Sequence, residues 1–293
     1  MSKARLSWAR QCGERKAREH GFDAFPIDPF EIASTEGILV VPKRPDQFGV
    51  SGGIIFGDDV GIFYSTDIKS DGFQRFTVAH ELGHYFLDGH PEEILKVAPA
   101  HISRAGFTEG NSMIELEADH FASGLLLPTR LVQNELDREQ IGFEGIERLA
   151  EVSKCSLTAS AIRAAECSPY PMAIIVSRDD EVRYAFLSDG FKKLGRLNFL
   201  RKGTSLPSTL TRQFNANPAN VASGRRACES ATLNDWFGGS PQIELDEQAV
   251  GLREYGFTLT VLTGEDLPPD PDDEEDEEEK LIESYRPKFA YGR

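Results

Sequence analysis

Two histidines and a glutamate stand close together in the segment His80-Glu81-Leu82-Gly83-His84. Residues four positions apart on a helix lie one turn apart on the same face, so both imidazoles can reach one metal ion. Zinc accepts such nitrogens, and it lowers the pKa of water held at an open coordination position. Glu81 would lie beside that water and accept its proton. The arrangement predicts metal-assisted amide hydrolysis.

The helix that carries this segment is predicted to be buried, because apolar residues surround the histidines: Phe76, Val78, Ala79, Leu82, Phe86 and Leu87. In the simpler interpretation the histidines are polar groups satisfied within an ordinary core. Unpaired ionisable groups are costly to bury, whereas a shared metal ion would satisfy both rings. Gly83 costs a helix about 1 kcal/mol relative to alanine. We therefore favour the metal site and interpret Gly83 as room for the ion.

A catalytic zinc site needs a third protein ligand, which leaves the fourth position for water. The segment from residue 115 to residue 127 has helical apolar periodicity and is followed by a proline. Glu115 and Asp119 lie one turn apart on the same face of this helix. This spacing predicts that Glu115 binds the metal and that Asp119 accepts a hydrogen bond from a ligating histidine. Glu117 points elsewhere and is expected to be solvated or salt-bridged.

The two segments together resemble the ImmA/IrrE family of metallopeptidases, through F-T-x-A-H-E-x-G-H at 76–84 and E-x-x-A-D-x-F-A-x-x-L-L-x-P at 115–128. The resemblance covers roughly residues 1–170. It implies a compact zinc-peptidase-like domain distantly similar to thermolysin. It also implies the metal ligands His80, His84 and Glu115, with Glu81 as general base. Many members carry asparagine in place of Asp119, and either side chain can accept from a histidine N–H.

The resemblance further implies a cellular role, which is the cleavage and inactivation of a helix-turn-helix repressor of the Xre type. Family members act in this way in stress, mobile-element and prophage responses. The expected cofactor is Zn²⁺, with Mn²⁺ or Fe²⁺ as alternatives in the cell. The competing interpretation is a metal-bearing regulator or toxin–antitoxin component that sequesters a repressor partner without cutting it.

The acidic composition of the chain indicates which kind of macromolecule it binds. The chain of 293 residues has a formal net charge of −16, and nine of the ten residues from Asp270 to Glu279 are acidic. Even without those nine charges the remainder would carry −7. Phosphate would repel such a body, so direct DNA binding is disfavoured and a basic protein surface is the expected partner.

The expected location is cytoplasmic, and no contact with a membrane is expected. No apolar run approaches the length of a membrane span, and the polar N-terminus has no signal-peptide core. The four cysteines are widely scattered and are most simply interpreted as reduced thiols.

We expect an α+β protein with four segments: a zinc-peptidase domain at 1–140, helix-turn-helix-like helices at 141–168, a smaller α+β domain at 169–266 and an acidic disordered tail at 267–293. In the first domain, helices are predicted at 3–20 and 29–36, a strand at 38–41 and a hairpin at 49–56 and 60–64. In the third, strands are predicted at 173–176, 182–186 and 256–262, with helical stretches near 206–215 and 222–233.

Three features of the sequence have two interpretations each. The loop from Gly89 to Asn111 contains His90 and His101, either of which could contact a tetrahedral intermediate, although we favour ordinary surface histidines. The helices within 144–166 could contact DNA, but the second has few basic residues, so we favour a packing role. The α+β domain is either a GAF-like sensory domain or a plain packing or partner-binding domain.

Overall fold

The structure is a computed structural model, and it describes residues 5–44, 49–104, 113–138, 142–241 and 243–264. The predicted acidic tail at 267–293 lies outside the described residues. Contacts divide the chain into two compact units, residues 1–134 with 148–160 and residues 135–147 with 161–293. The division passes through three helices, α6 (Thr129–Leu136), α7 (Phe143–Ser153) and α8 (Leu157–Cys167).

The first unit contains a four-stranded mixed sheet and five further helices. Its strands are β1 (Leu39–Pro42), β2 (Val50–Phe56), β3 (Val60–Tyr64) and β4 (Ala100–Arg104), in the order β1-β3-β2-β4. Its helices are α1 (Leu6–Glu19), α2 (Pro29–Thr35), α3 (Asp71–Phe86), α4 (His90–Leu95) and α5 (Met113–Leu126). The predicted hairpin corresponds to β2 and β3, which pair antiparallel, whereas β1 runs parallel to β3.

Helix α3 packs on strands β2 and β3, and every residue from Phe76 to His84 is buried. Ser70 caps it, because its hydroxyl accepts a hydrogen bond from the backbone N–H of Phe73 at 3.3 Å. Ile54 of β2 lies opposite Ile62 of β3, and both side chains are buried under the helix layer. The face of the sheet that carries Ile54 and Ile62 is therefore directed to the core.

The segment from Gly89 to Asn111, predicted to be a loop, contains α4 and β4 within its described part. Gly89 has the positive φ of 91°, which turns the chain into α4 directly after α3. Strand β4 then pairs antiparallel with β2 and is the last strand on that side of the sheet. The loop prediction is wrong because the pairing of β4 depends on β2, which is distant in the chain.

The second unit contains a five-stranded antiparallel sheet. Its strands are β5 (Met172–Arg178), β6 (Glu181–Leu187), β7 (Arg226–Thr232), β8 (Glu244–Gly251) and β9 (Thr258–Thr263), in the order β6-β5-β9-β8-β7. Its further helices are α9 (Asp189–Lys192), α10 (Leu210–Asn215), α11 (Pro218–Ser223) and α12 (Leu233–Phe237), with a 3₁₀ turn at Arg253–Tyr255. The described residues therefore form a mixed α+β protein with two sheets.

One helical prediction in this unit is wrong. The stretch 222–233 contains the end of α11, the whole of β7 and the start of α12. Gly224 ends α11 in the left-handed region with φ of 70°, and the next residues pair along β8. Most of β7 is exposed, as expected of an edge strand, so it lacks the apolar alternation that identifies a half-buried strand.

The C-terminal sheet also buries a carboxylate, that of Glu247 on β8. Its Oε1 accepts hydrogen bonds from the backbone N–H of Thr211 at 2.7 Å and from the hydroxyl of Thr211 at 2.6 Å. Its Oε2 accepts from the indole N–H of Trp236 at 3.0 Å. These bonds offset the cost of burying the carboxylate and tie α10 and α12 to the sheet.

Two further sequence-based expectations concern the whole chain. All four cysteines are free. Among the described residues, none of the helices combines the length and the apolar character that crossing a bilayer requires.

Candidate metal centre

Helix α3 brings His80 and His84 to one side of the helix, one turn apart. Every residue from Phe76 to His84 is buried, and His84 has no exposed surface. The two Nε2 atoms face each other at 3.1 Å. The predicted shared face of the two histidines is therefore present, and both rings point into the same small space.

Helix α5 supplies the first carboxylate of the cluster. Oε2 of Glu115 lies 3.4 Å from Nε2 of His80, and Oε1 lies 3.4 Å from Nε2 of His84. The structure thus brings together the three residues that the sequence analysis assigned as metal ligands.

The close approach of α5 to α3 depends on Gly83. A Cβ atom at Gly83 would lie 3.1 Å from the Cα of Ala118 and 3.2 Å from the ring of Phe121. Gly83 therefore faces α5, and our interpretation of this glycine as room for the ion is wrong. Its small size instead lets α5 come near enough to place Glu115 beside the histidines.

His101 of β4 joins the same cluster. Its Nε2 lies 3.1 Å from Oε1 of Glu115, and its ring centroid lies 4.4 Å from that of His84. One ligand atom from each of His80, His84, His101 and Glu115 falls within 4.8 Å of the others. The expectation of an ordinary surface histidine is wrong here, because the pairing of Ile54 with His101 carries this strand to the site.

Asp119 lies behind His80, on the side away from the cluster. Its Oδ1 is 2.8 Å from Nδ1 of His80, the ring nitrogen that does not face Glu115. Such a contact orients the ring and favours the tautomer with the proton on Nδ1, which leaves Nε2 free to bind a metal. The distance fits the role that the spacing predicts for Asp119.

Glu117 and His90 form a second buried pair. The Glu117 side chain is 6% exposed, and its Oε2 lies 3.2 Å from Nε2 of His90 and 2.9 Å from Nη2 of Arg5. Glu117 is therefore salt-bridged and not solvated. His90 is 1% exposed, so the expectation of a surface histidine is wrong for this residue too.

Glu81 is fully buried beside the cluster. Its Oε1 accepts a hydrogen bond from the hydroxyl of Ser103 at 2.6 Å, while Oε2 has no hydrogen-bond partner among the described residues. Gly52 of β2 lies against this part of α3, because a Cβ there would be 2.4 Å from Thr77 and 3.6 Å from Oε1 of Glu81. Neither Ser103 nor Gly52 lies in a sequence motif, so no signal in the sequence indicates that either residue is near the site.

The histidines determine the charge of Glu115. Burial by itself would raise the pKa of Glu115, but contacts with His101, His80 and His84 outweigh it and hold this pKa far below its ordinary value. Burial likewise opposes the charging of His80, yet Asp119 and Glu115 raise the pKa of His80 well above its usual value. Carboxylate character at Glu115 is thus strongly favoured.

Burial shifts the pKa values of His84 and Glu81 in the directions that favour their neutral forms. Burial lowers the pKa of His84 to about 3, although Glu115 opposes the shift. Burial also raises the pKa of Glu81, partly offset by His80 and His101. A neutral imidazole is the form that binds metals, and a carboxyl with a raised pKa is better matched to proton transfer near neutral pH.

The donor set fits a divalent transition metal ion. Imidazole nitrogens and one carboxylate converge, and this combination is typical of zinc sites and of related metals. Oε1 of Glu115 and Oε2 of Glu81 are buried without hydrogen bonds among the described residues. A cation at the centre of the cluster would satisfy the carboxylate oxygen of Glu115 and relieve the crowding of ring nitrogens. These residues therefore form a candidate metal centre.

Two comparisons with known proteins concern the whole chain. A search of curated proteins gave no match. Among solved structures, a Mycobacterium tuberculosis transcriptional regulator superposes with a TM-score of 0.55 at 16% sequence identity, covering 87% of this chain and 76% of that one. At this identity the similarity concerns the fold alone.

A family model matches the part of the chain that contains the candidate metal centre. The model describes the IrrE N-terminal-like domain, Peptidase_M78, and it matches residues 33–164. This range includes both motifs from which the resemblance was drawn. Residues 33–164 of this chain therefore match the IrrE N-terminal-like family, Peptidase_M78, as the two motifs predicted.

Proposed function

We propose that this protein is a zinc-dependent endopeptidase that cleaves and inactivates a helix-turn-helix repressor of the Xre type. The observation that carries the proposal is the convergence of His80, His84 and Glu115 on one small space. Glu81 lies beside that space with a buried carboxylate oxygen that lacks a hydrogen-bond partner among the described residues. His80, His84 and Glu115 would hold the metal, and Glu81 would act as general base.

Glu81 and Ser103 have different roles in the proposed reaction. Zinc, when bound, acts as a Lewis acid on the scissile carbonyl and lowers the pKa of water. Glu81 accepts the proton of the attacking water at Oε2 and passes it to the leaving amine. Ser103 donates to Oε1 of Glu81 and so directs the other oxygen toward the reaction. Burial of Glu81 excludes bulk water from this proton transfer.

Strand β4 supports binding of an extended substrate. It lies at the end of the strand order, beyond β2, and it carries both His101 and Ser103. Among the described residues no strand pairs with the other side of β4, and a peptide added there would form backbone hydrogen bonds with it and pass beside the proposed metal ligands. This mode of binding selects an unfolded or extended segment of the target protein.

The choice of a repressor as substrate rests on the family resemblance and on charge. The net charge of −16 favours a partner with a basic surface, and DNA-binding proteins carry such surfaces. The Mycobacterium tuberculosis protein of similar fold is a transcriptional regulator, which is consistent with a role near transcription control. The proposed setting is a stress, mobile-element or prophage response in the cytoplasm, and four free cysteines accord with it.

The finer fold assignments belong to the same proposal. The α3 helix against a sheet, with α5 beside it, supports a minimal zinc-peptidase-like domain related to thermolysin, proposed for 1–140. The five-stranded antiparallel sheet supports a GAF-like C-terminal domain, proposed for 169–266. The helices proposed for 141–168 include α7 and α8, and residues 160–165 of α8 are all buried, which favours packing over contact with DNA.

One observation favours a second candidate function. His101 offers a fourth ligand atom, and a metal with four protein ligands has no open position, as in structural zinc sites. A site closed in this way suits a regulator that sequesters its repressor without cutting it. Mutation of Glu81 separates the two functions, because sequestration does not need a general base.

The first prediction concerns Glu81→Gln. Zinc content should match that of the wild type, because Glu81 is not a ligand, whereas hydrolysis should fall by about 10²–10⁴-fold with the general base removed. Zinc is measured by elemental analysis, and hydrolysis by mass spectrometry of new N-termini in a purified Xre-type repressor from the same genome. Glu92→Gln, at an exposed carboxylate in α4, is the matched control and should cleave normally.

Three outcomes decide between the functions. Discrete fragments with wild type and Glu92→Gln, absent with Glu81→Gln and with chelator, support the endopeptidase. Equal cleavage by Glu81→Gln removes Glu81 from the mechanism. A repressor that binds tightly and stays whole with every variant supports the sequestering regulator.

A further inference from the structure

The Nδ1 atom of His84, on the side of the ring away from the cluster, faces another histidine. Its Nε2 points into the cluster, 3.4 Å from Oε1 of Glu115, whereas its Nδ1 lies 3.2 Å from Nδ1 of His90. Both side chains are essentially without exposure, at 0% and 1%. A metal ligand of this kind needs a partner behind it to hold its ring, and here that partner is a second histidine.

His90 in turn faces a carboxylate. Its Nε2 lies 3.2 Å from Oε2 of Glu117, on the opposite side of the ring from His84. Glu117 is an acceptor only, because Arg5 donates to it from Nη2 at 2.9 Å and from its backbone N–H at 2.9 Å. The guanidinium and the backbone N–H hold this carboxylate in position.

With both histidines neutral, these contacts are satisfied by one arrangement of protons. A carboxylate accepts, so the proton of neutral His90 must be on Nε2, which leaves a lone pair on Nδ1. That lone pair accepts from His84, so the proton of His84 must be on Nδ1. The Nε2 atom of His84 is then unprotonated and directed at the metal space. Each donor therefore faces an acceptor along the path from Arg5 through Glu117 and His90 to His84.

We infer that Glu117 and His90 are positioning residues that set the tautomer and ring orientation of His84 for metal binding. The inference rests on the metal site proposed above. Asp119 positions the ring of His80 directly, because its Oδ1 lies 2.8 Å from Nδ1 of His80. Helix α5 thus presents three carboxylates with three tasks: Glu115 faces the metal, Asp119 faces His80, and Glu117 acts on His84 through His90.

The first test measures zinc affinity by competition with a chromogenic chelator. Glu117→Ala should weaken zinc binding by about 10–100-fold, the usual loss when a partner behind a ligating histidine is removed. Glu93→Ala, at an exposed carboxylate of α4, is the matched control and should bind zinc as the wild type does. Arg5→Ala tests whether Glu117 acts only through its ion pair, and it should retain most of the affinity, because the backbone N–H of Arg5 still holds the carboxylate.

The second test needs no substitution and reads the tautomers directly. Long-range ¹H–¹⁵N correlation spectra of the imidazole rings in zinc-loaded wild-type protein should show His84 protonated on Nδ1 and His90 protonated on Nε2. A proton on Nδ1 of His90 would overturn the inference. Equal zinc affinity in Glu117→Ala and Glu93→Ala would overturn it as well.

The outcomes also separate this inference from the proposed function. Normal cleavage by wild type together with unchanged zinc affinity in Glu117→Ala rejects the positioning role and keeps the peptidase. The expected tautomers and affinity loss in a protein that never cleaves its partner keep the positioning role and reject the peptidase.

Discussion

At the scale of single residues, three glutamates lie in or near one cluster, and their surroundings differ. Glu115 is surrounded by histidines, and these lower its pKa against the effect of burial. Glu81 is buried with a raised pKa, and Glu117 is held by Arg5, which lowers its pKa despite burial. Residue type alone does not distinguish a ligand, a general base and a positioning group, whereas the contacts of each side chain do.

His101 is the residue on which the two candidate functions differ. If the protein is an endopeptidase with an open metal position, His101 would donate to the developing oxyanion and would not bind the metal. His101→Ala should then keep zinc affinity within about threefold and lower cleavage by about 10²-fold or more, the usual effect of losing one oxyanion donor. Both quantities are measurable on one preparation.

The control for this substitution is His20→Ala, at a histidine that pairs with Glu36 at 3.1 Å. It should change neither zinc affinity nor cleavage. If His101→Ala instead weakens zinc binding by more than about tenfold, His101 is a ligand, the site is closed, and the sequestering regulator becomes the better account.

At the scale of elements, the position of α5 is decided by glycines. A Cβ at Gly13 of α1 would lie 2.2 Å from the carbonyl oxygen of Phe121, and a Cβ at Gly124 of α5 would lie 2.2 Å from that of Arg10. Helices α1 and α5 are therefore in backbone contact at these two positions. Gly83 brings α3 to the other side of α5 in a similar way, so α5 is held between two helices while it presents Glu115.

Gly124→Ala tests this packing. Alanine favours a helix over glycine by about 1 kcal/mol, so the substitution would stabilise an isolated helix. A Cβ so near a carbonyl oxygen forces α1 and α5 apart, at a cost of about 1–3 kcal/mol or more. We expect a lower free energy of unfolding in urea and weaker zinc binding, because Glu115 moves with α5.

Gly61→Ala is the control for this substitution, because its Cβ would have no described neighbour nearer than 3.7 Å. It should leave the free energy of unfolding nearly unchanged. A Gly124→Ala protein as stable as the wild type would show that α1 and α5 do not need this close contact.

Some elements of the fold can be predicted from local sequence signals, and others cannot. Helices α1, α2, α3 and α5 and the β2–β3 hairpin follow their predicted positions, because apolar periodicity, caps and turns are local signals. Strands β4, β7 and β8 were missed, and of these β4 and β7 are edge strands whose partners lie elsewhere in the chain. Their sequences carry exposed polar residues, and nothing local distinguishes them from loops.

At the scale of the whole molecule, charge and burial both oppose direct contact with DNA. The net charge of −16 repels phosphate, and the helix α8 that could have entered a groove has residues 160–165 buried. Arg163, a basic residue of that helix, is 1% exposed and pairs with Glu166 at 2.6 Å. A recognition helix needs exposed side chains that reach base edges, and this one does not present them.

We therefore expect no saturable binding of a fluorescein-labelled DNA duplex in an anisotropy titration at 50 mM salt, even at micromolar protein. Proteins that contact several phosphates bind in this range, and more tightly as salt is lowered. The purified Xre-type repressor is the positive control. Saturable binding by this chain that weakens as salt rises would contradict the packing role of α7 and α8.

The sequence by itself predicted the family resemblance of residues 33–164, because both motifs are local patterns, and the family model confirmed it over that range. It also predicted which α3 and α5 side chains share a face, since helix geometry relates residues four apart. Only the tertiary structure brought His101, His90 and Ser103 to the site. Strand pairing and backbone contacts at glycines decide which distant residues meet, and no periodicity within one segment encodes them.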